Sequence, residues 1–147
     1  MNRINLIALG VRDIKKSLKF YRDIGFKAAV RGPEDDPIIV FFDNQGTKLE
    51  LYPIDLLAKD INETNPPQIL SNGFTGITLA YNAKSEEEVD EIFNKLKKLN
   101  VEIVKEPVKT SWGGYSGYFK DPDGYYWEVA YGADWKFDEN DMLIIED

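Results

Sequence analysis

The chain repeats itself, and the repeat limits its fold more than any other feature. RINLIALGV (Arg3 to Val11) is rich in leucine and β-branched residues and reads as a strand. Asp13 follows as an N-cap, and Ile14, Leu18, Tyr21 and Ile24 recur at helical spacing until Gly25 stops the helix. KAAV, PIIVFF and TKLELY then read as three short strands, with DNQG (Asp43 to Gly46) as the turn between the last two. The same order returns. TGITLAY (Thr75 to Tyr81) is a strand, and Ser85 with Glu88 forms a capping box. Val89, Ile92, Phe93, Leu96 and Leu99 stripe the helix it opens, and VEIV, GGYSGYF and YYWEVAY are three more strands. Leu9 is matched to Leu79 at an offset of 70, and Glu50 to Glu128 at an offset of 78. Gly46 precedes Glu50 by the same spacing as Gly124 precedes Glu128.

The fold class expected is therefore α+β, two tandem βαβββ units in a single domain, 1–147. The units fall at about 3–53 and 74–131, with a linker at 54–73 and a C-terminal tail at 132–147. In the linker, IDLLAKD is expected to make a helical turn before the breaker Asn65-Pro66-Pro67. Trp135, Phe137, Met142, Leu143 and Ile144 make the tail too apolar for a solvated end, and packing on its own domain is the favoured reading.

Strand alternation assigns faces. Ile7, Leu9 and Val11, and likewise Ile77, Leu79 and Tyr81, form bulky rows expected to pack on helices. The opposite rows, Leu6-Ala8-Gly10 and Gly76-Thr78-Ala80, are small and leave volume beside the sheet. In the last strands Leu49, Leu51, Trp127 and Val129 should face the helices. Lys48, Glu50 and Tyr52, with Tyr126, Glu128 and Ala130, then share the small-residue face. If the units pack as a pseudo-twofold pair, both glutamates line one concave surface. Two carboxylates brought together there require a proton or a cation between them.

The chain has no histidine and no cysteine, so the commonest general base and metal ligand is missing, as are thiolate chemistry and disulfides. Acid–base work falls to Asp, Glu, Lys or Tyr, and Glu50 and Glu128 are the catalytic candidates. A net charge of -8 speaks against a nucleic-acid partner and leaves small molecules or cations. No apolar run approaches a membrane span, and the start of the chain is too short in apolar residues for a signal peptide, so a cytoplasmic location is expected. SWGGYSGYF (Ser111 to Phe119) sets Trp112, Tyr115 and Tyr118 beside three glycines, where aromatic rings could stack on a flat ligand or simply fill the core.

With these residues in view, the chain resembles the vicinal oxygen chelate superfamily, which holds glyoxalase I, extradiol dioxygenases and the bleomycin and fosfomycin resistance proteins. The resemblance runs from about Arg3 to Tyr131 and rests on VRDIKKSLKFYRDIGF, FKDPDGYYWEV and the paired βαβββ order. It implies a curved mixed sheet around a concave cavity, and a homodimer. In metal-dependent members, four strands each supply one ligand, commonly His or Glu. The resemblance places Glu50 and Glu128 at two of those positions and Leu6 and Gly76 at the other two. Neither Leu6 nor Gly76 offers a side-chain ligand, so no metal is expected. If one binds, the resemblance leaves magnesium or manganese held by the two glutamates and water. The reading that follows is a small-molecule binding protein with a degenerate metal site. Tyr52, Trp112, Tyr115, Tyr126, Thr78, Leu6 and Gly76 would line the pocket. The competing reading is a glyoxalase-like lyase or isomerase, with a glutamate as proton shuttle.

Overall fold

The computed structural model describes residues 2–145. Its described residues form β1 (Leu6–Val11), α1 (Ile14–Ile24), β2 (Ala28–Arg31), β3 (Ile39–Phe42), β4 (Lys48–Pro53), α2 (Ile54–Ile61), β5 (Thr78–Ala83), α3 (Glu86–Lys98), β6 (Ile103–Lys109), β7 (Tyr115–Lys120) and β8 (Tyr126–Tyr131). The architecture is α+β, as the repeat predicts. Two compact units divide the chain: Met1–Thr75 is unit 1 and Gly76–Asp147 is unit 2. Each holds its own four-stranded mixed sheet, ordered β1-β4-β3-β2 in unit 1 and β5-β8-β7-β6 in unit 2. In each unit the first strand, at one edge of the sheet, pairs in parallel with the last strand, and the other pairings are antiparallel.

Local chemistry explains the elements. The Asp13 carboxylate accepts from Lys16 N at 3.0 Å, and Gly25, at φ 122°, ends α1. Ser85 Oγ accepts from Glu88 N at 3.1 Å, while Glu88 reaches back to Lys84 N at 2.7 Å. In unit 1 the sheet lays Leu9, Val11, Val40, Phe42, Leu49 and Leu51 against Leu18 and Tyr21 of α1, all buried. Tyr21, Phe26 and Phe42 pack with centroids 5.2–5.4 Å apart. In unit 2 Val89, Phe93 and Leu96 of α3 are buried with Leu79, Phe119, Trp127 and Val129, and Phe119 stacks on Trp127 at 6.1 Å.

Two expectations are corrected. The first strands match at an offset of 72, not 70: Ala8 faces Glu50 and Ala80 faces Glu128, so Leu9 corresponds to Tyr81 rather than to Leu79. A slip of two residues preserves every inside–outside assignment, so alternation cannot detect it. The second correction concerns VEIV. The strand there starts at Ile103 and runs on to Lys109, through Pro107. β6 is an edge strand whose register with β7 shifts between Lys105 and Val108, a place where proline removes no ladder hydrogen bond.

The linker does hold a helix, α2, longer than the single turn expected. The tail packs within unit 2. Trp135 stacks on Trp112 at 5.7 Å, Phe137 bridges to Leu143, and Lys84 pairs with Asp141. Among the described residues no helix is long and apolar enough to cross a membrane.

Candidate functional site

On unit 1 the face turned away from α1 is built around β4. Glu50 stands there with Ala8 across the parallel pairing and Phe41 across the antiparallel one. Neither neighbouring side chain donates a hydrogen bond. Glu50 is only 8% exposed, and burial pushes its carboxyl above the ordinary carboxylate range. Arg31 lies over the Phe41 ring at 5.8 Å, and Lys48, next along the same face, pairs with Asp43 at 3.7 Å. Gly10 closes the far end. A β-carbon there would come within 2.8 Å of Ile54, so this glycine exists for the close approach of α2 rather than for open volume.

On unit 2 the equivalent face is built around β8. Glu128 has Ala80 on one side and Tyr118 on the other. Burial first, then the neighbouring Glu128 carboxylate, push the Tyr118 phenol up to about 12. Lys105 sits over the Tyr118 ring at 5.7 Å and Lys120 over Tyr126 at 4.9 Å, while Lys120 also pairs with Glu102 at 3.1 Å. Thr78, exposed, lies opposite Tyr126.

The structure thus brings Tyr126, Thr78 and Glu128 onto one face of unit 2, and Leu6, Glu50 and Tyr52 onto one face of unit 1. Leu6 also borders an open hollow of about 620 Å³ lined by Asn2, Arg3, Ile4 and Asn5. Three residues fall elsewhere. Gly76 precedes β5, at φ +80°, and the repeat counterpart of Leu6 is Thr78, since Leu6 pairs with Lys48 as Thr78 pairs with Tyr126. Tyr115 alternates onto the helix side of β7, where its hydroxyl donates to Asp90 Oδ1 at 2.8 Å. Trp112 occupies the β6–β7 turn against Trp135. Sequence reasoning left Lys105 and Arg31 out of the site, and read Tyr118 only as a ring that could stack on a ligand or fill the core, not as the neighbour of Glu128. Counting back from the turn closed by Asp121 and Tyr125 would have placed Tyr118 directly across from Glu128.

The donor set does not suit a tightly held transition metal. Histidine and cysteine are absent from the chain, and the strand positions on each face supply one carboxylate, Glu50 or Glu128. Among the described residues no three acidic, His or Cys side chains are grouped to hold an ion.

Comparison with known proteins gives a consistent picture. The family model described as Glyoxalase/Bleomycin resistance protein/Dioxygenase superfamily matches residues 3–129. Metallothiol transferase FosB of Lysinibacillus sphaericus is 32% identical over 131 residues, which cover 88% of this chain and 82% of that protein. The Bacillus subtilis protein YraH is 27% identical over 118 residues, 80% of this chain and 88% of that one. Among solved structures, a glyoxalase-related enzyme from Fulvimarina pelagi has a TM-score of 0.85 at 24% identity and covers 100% of both chains, a likeness of fold.

Proposed function

The chain belongs to the glyoxalase/bleomycin resistance protein/dioxygenase superfamily, and from that premise we propose that it binds a small molecule on the carboxylate-bearing faces of its sheets, with the metal site of metal-dependent relatives degenerate. The observation that supports this most directly is the setting of Glu128. Its antiparallel neighbour is the phenol-bearing Tyr118, and its parallel neighbour is Ala80. The first strands carry Leu6 and Thr78 at the matching positions, which offer a hydrocarbon and a single hydroxyl. Glu128, Tyr126 and Thr78 would contact the ligand in unit 2, and Glu50, Tyr52 and Leu6 in unit 1. A homodimer in the cytoplasm and freedom from nucleic-acid or membrane partners complete the proposal.

A lyase or isomerase is the second reading, favoured by one observation. Glu50 is a buried carboxyl with a raised pKa, the property of a proton shuttle poised nearer neutrality. The FosB relative is named a metallothiol transferase, which adds thiol transfer to the chemistries this reading covers. Metal analysis of freshly purified protein, followed by thermal shifts with magnesium, manganese, nickel and zinc, separates the readings. The expected result is no stoichiometric metal and no stabilisation above that of a non-specific ion. A tightly held equivalent of metal, lost in Glu128→Gln, would overturn the degenerate site.

A further inference from the structure

Asn72-Gly73 is the one Asn-Gly pair in the chain, and the proposed function does not use it. Glycine lets its own backbone nitrogen reach the preceding carboxamide, because it puts no side chain in the way and turns freely about its backbone. The pair lies within a run, 59–78, in which every residue is exposed. Gly73 has φ 106°, and a β-carbon built on it would meet nothing within 4 Å. Among the described residues neither the Asn72 carboxamide nor the Gly73 N–H enters a hydrogen bond. Comparable groups elsewhere are held. Asp123-Gly124 is the one Asp-Gly pair, and there the Gly124 N–H donates to the Asp121 carbonyl at 3.1 Å. Asn62 Oδ1 accepts from Thr64 N and Asn65 N at 3.2 and 3.0 Å, and Asn44 Nδ2 donates to the Gln45 and Thr47 carbonyls at 2.8 Å. Val101 N and Asp141 N, which follow Asn100 and Asn140, donate to the Leu96 and Asp138 carbonyls at 3.0 and 3.1 Å. Each of these bonds has to break before a ring could close there, and Asn72 has none to break.

We infer that Asn72 is a site of self-modification, at which the chain deamidates through a succinimide closed by Gly73. Water or hydroxide takes the Gly73 amide proton, the nitrogen forms a bond to Asn72 Cγ, and the Cγ–Nδ2 bond breaks with loss of ammonia. Water then opens the imide ring at either carbonyl. Opening at Cγ leaves aspartate, and opening at the main-chain carbonyl leaves isoaspartate, whose backbone runs through the side-chain carbons. In sum, a carboxamide and water become a carboxylate and ammonium, so no oxidant or cofactor is needed. One negative charge is added to the chain's -8, in the connection between α2 and β5 just ahead of unit 2.

The purified chain is incubated at mildly alkaline pH, folded and in urea, and its tryptic peptides are followed by mass spectrometry that separates isoaspartate from aspartate. In the folded chain Asn72 is expected to convert to both isomers at least about fivefold faster than any other asparagine, the worth of one backbone hydrogen bond. Asp123 should stay unchanged there and isomerise in urea, where the bond that holds the Gly124 N–H is lost. Asn72→Gln, which would have to close a larger ring, should abolish the added charge seen on anion exchange. Conversion of Asn72 in urea but not in the folded chain would overturn the inference, since the fold would then shield the pair. Aspartate without isoaspartate would overturn the succinimide route, and faster conversion at another asparagine would overturn the choice of site.

Discussion

Unit 1 buries Glu50 between Ala8 and Phe41, with no donor facing it across the strands, whereas unit 2 leaves Glu128 half-buried between Ala80 and Tyr118, whose strand position carries a phenol. The two glutamates occupy the same register position on the same kind of strand, so the difference lies in single neighbours. Phe41 stands where unit 2 has the phenol of Tyr118. The repeat keeps its carboxylates and changes their neighbours, so that one carboxyl is buried with its pKa raised and the other is half-buried beside a phenol-bearing residue.

The helix sides of the sheets diverge just as sharply, and there the largest effect is expected. Val40, fully buried on β3, faces Leu51, and its counterpart Gly117 on β7 faces Val129. A β-carbon at Gly117 would lie 2.5 Å from Phe93, 2.8 Å from the Lys105 carbonyl and 2.9 Å from the Pro107 nitrogen. Two of those three atoms are backbone, at the bulged stretch of β6, so relief by side-chain rotation is blocked. Gly117→Val, which copies unit 1 into unit 2, is expected to cost about 3 kcal/mol or more. Urea denaturation would show it. A cost below that of an ordinary surface change would mean that β6 can move away.

The tail has no counterpart in unit 1, and it gives the next largest effect. Trp112 rests on Gly114 and Trp135 on Gly132, since a β-carbon at either glycine would enter the ring above it, at 1.8 and 2.6 Å. The indoles stack at 13° between planes. Trp135→Ala is expected to cost about 2 kcal/mol from lost burial and stacking. A double-mutant cycle with Trp112→Ala should return a coupling of about 1 kcal/mol. Coupling near zero would mean the tail is held by Lys84 and its partners alone.

The element order, both N-caps and the α+β class could be read from the sequence, because capping residues and apolar periodicity act locally and are written residue by residue. Asp13 and Ser85 make the bonds that their positions promise. Asp13→Ala and Ser85→Ala should each cost about 1 kcal/mol. The loss at Ser85 should be the larger, since Glu88 also accepts from Tyr81 at 2.5 Å. Three things were not legible. Register between parallel strands is set by packing and is invisible to a period of two, which is why Thr78 and not Gly76 answers Leu6. Pro107 reads as a strand end because only the sheet order makes β6 an edge. Tyr115 and Tyr118 look alike in GGYSGYF, and only the pairing with β8 tells which one meets Glu128 and which one meets Asp90.

The smallest effect discriminates most finely between the two carboxylates. Folding buries Glu50 and raises its pKa, so the folded chain holds this proton more tightly than the unfolded chain. The sign follows from linkage. Stability carried by this group is complete below the ordinary carboxylate range and is given up as pH rises through the folded-state titration. Glu50→Gln stays neutral throughout and should match the parent in acid, then exceed it in thermal stability near neutral pH. Glu128→Gln, at a half-buried position, should change stability by no more than about 0.5 kcal/mol across the same range. Thermal melts of the two variants and the parent across the acid-to-neutral range decide the matter. Equal shifts of the same sign would show that Phe41 and Tyr118 make no difference to the carboxylates they face. A gain confined to Glu50→Gln would show that the neighbours across the strands are enough to set the two carboxyls apart.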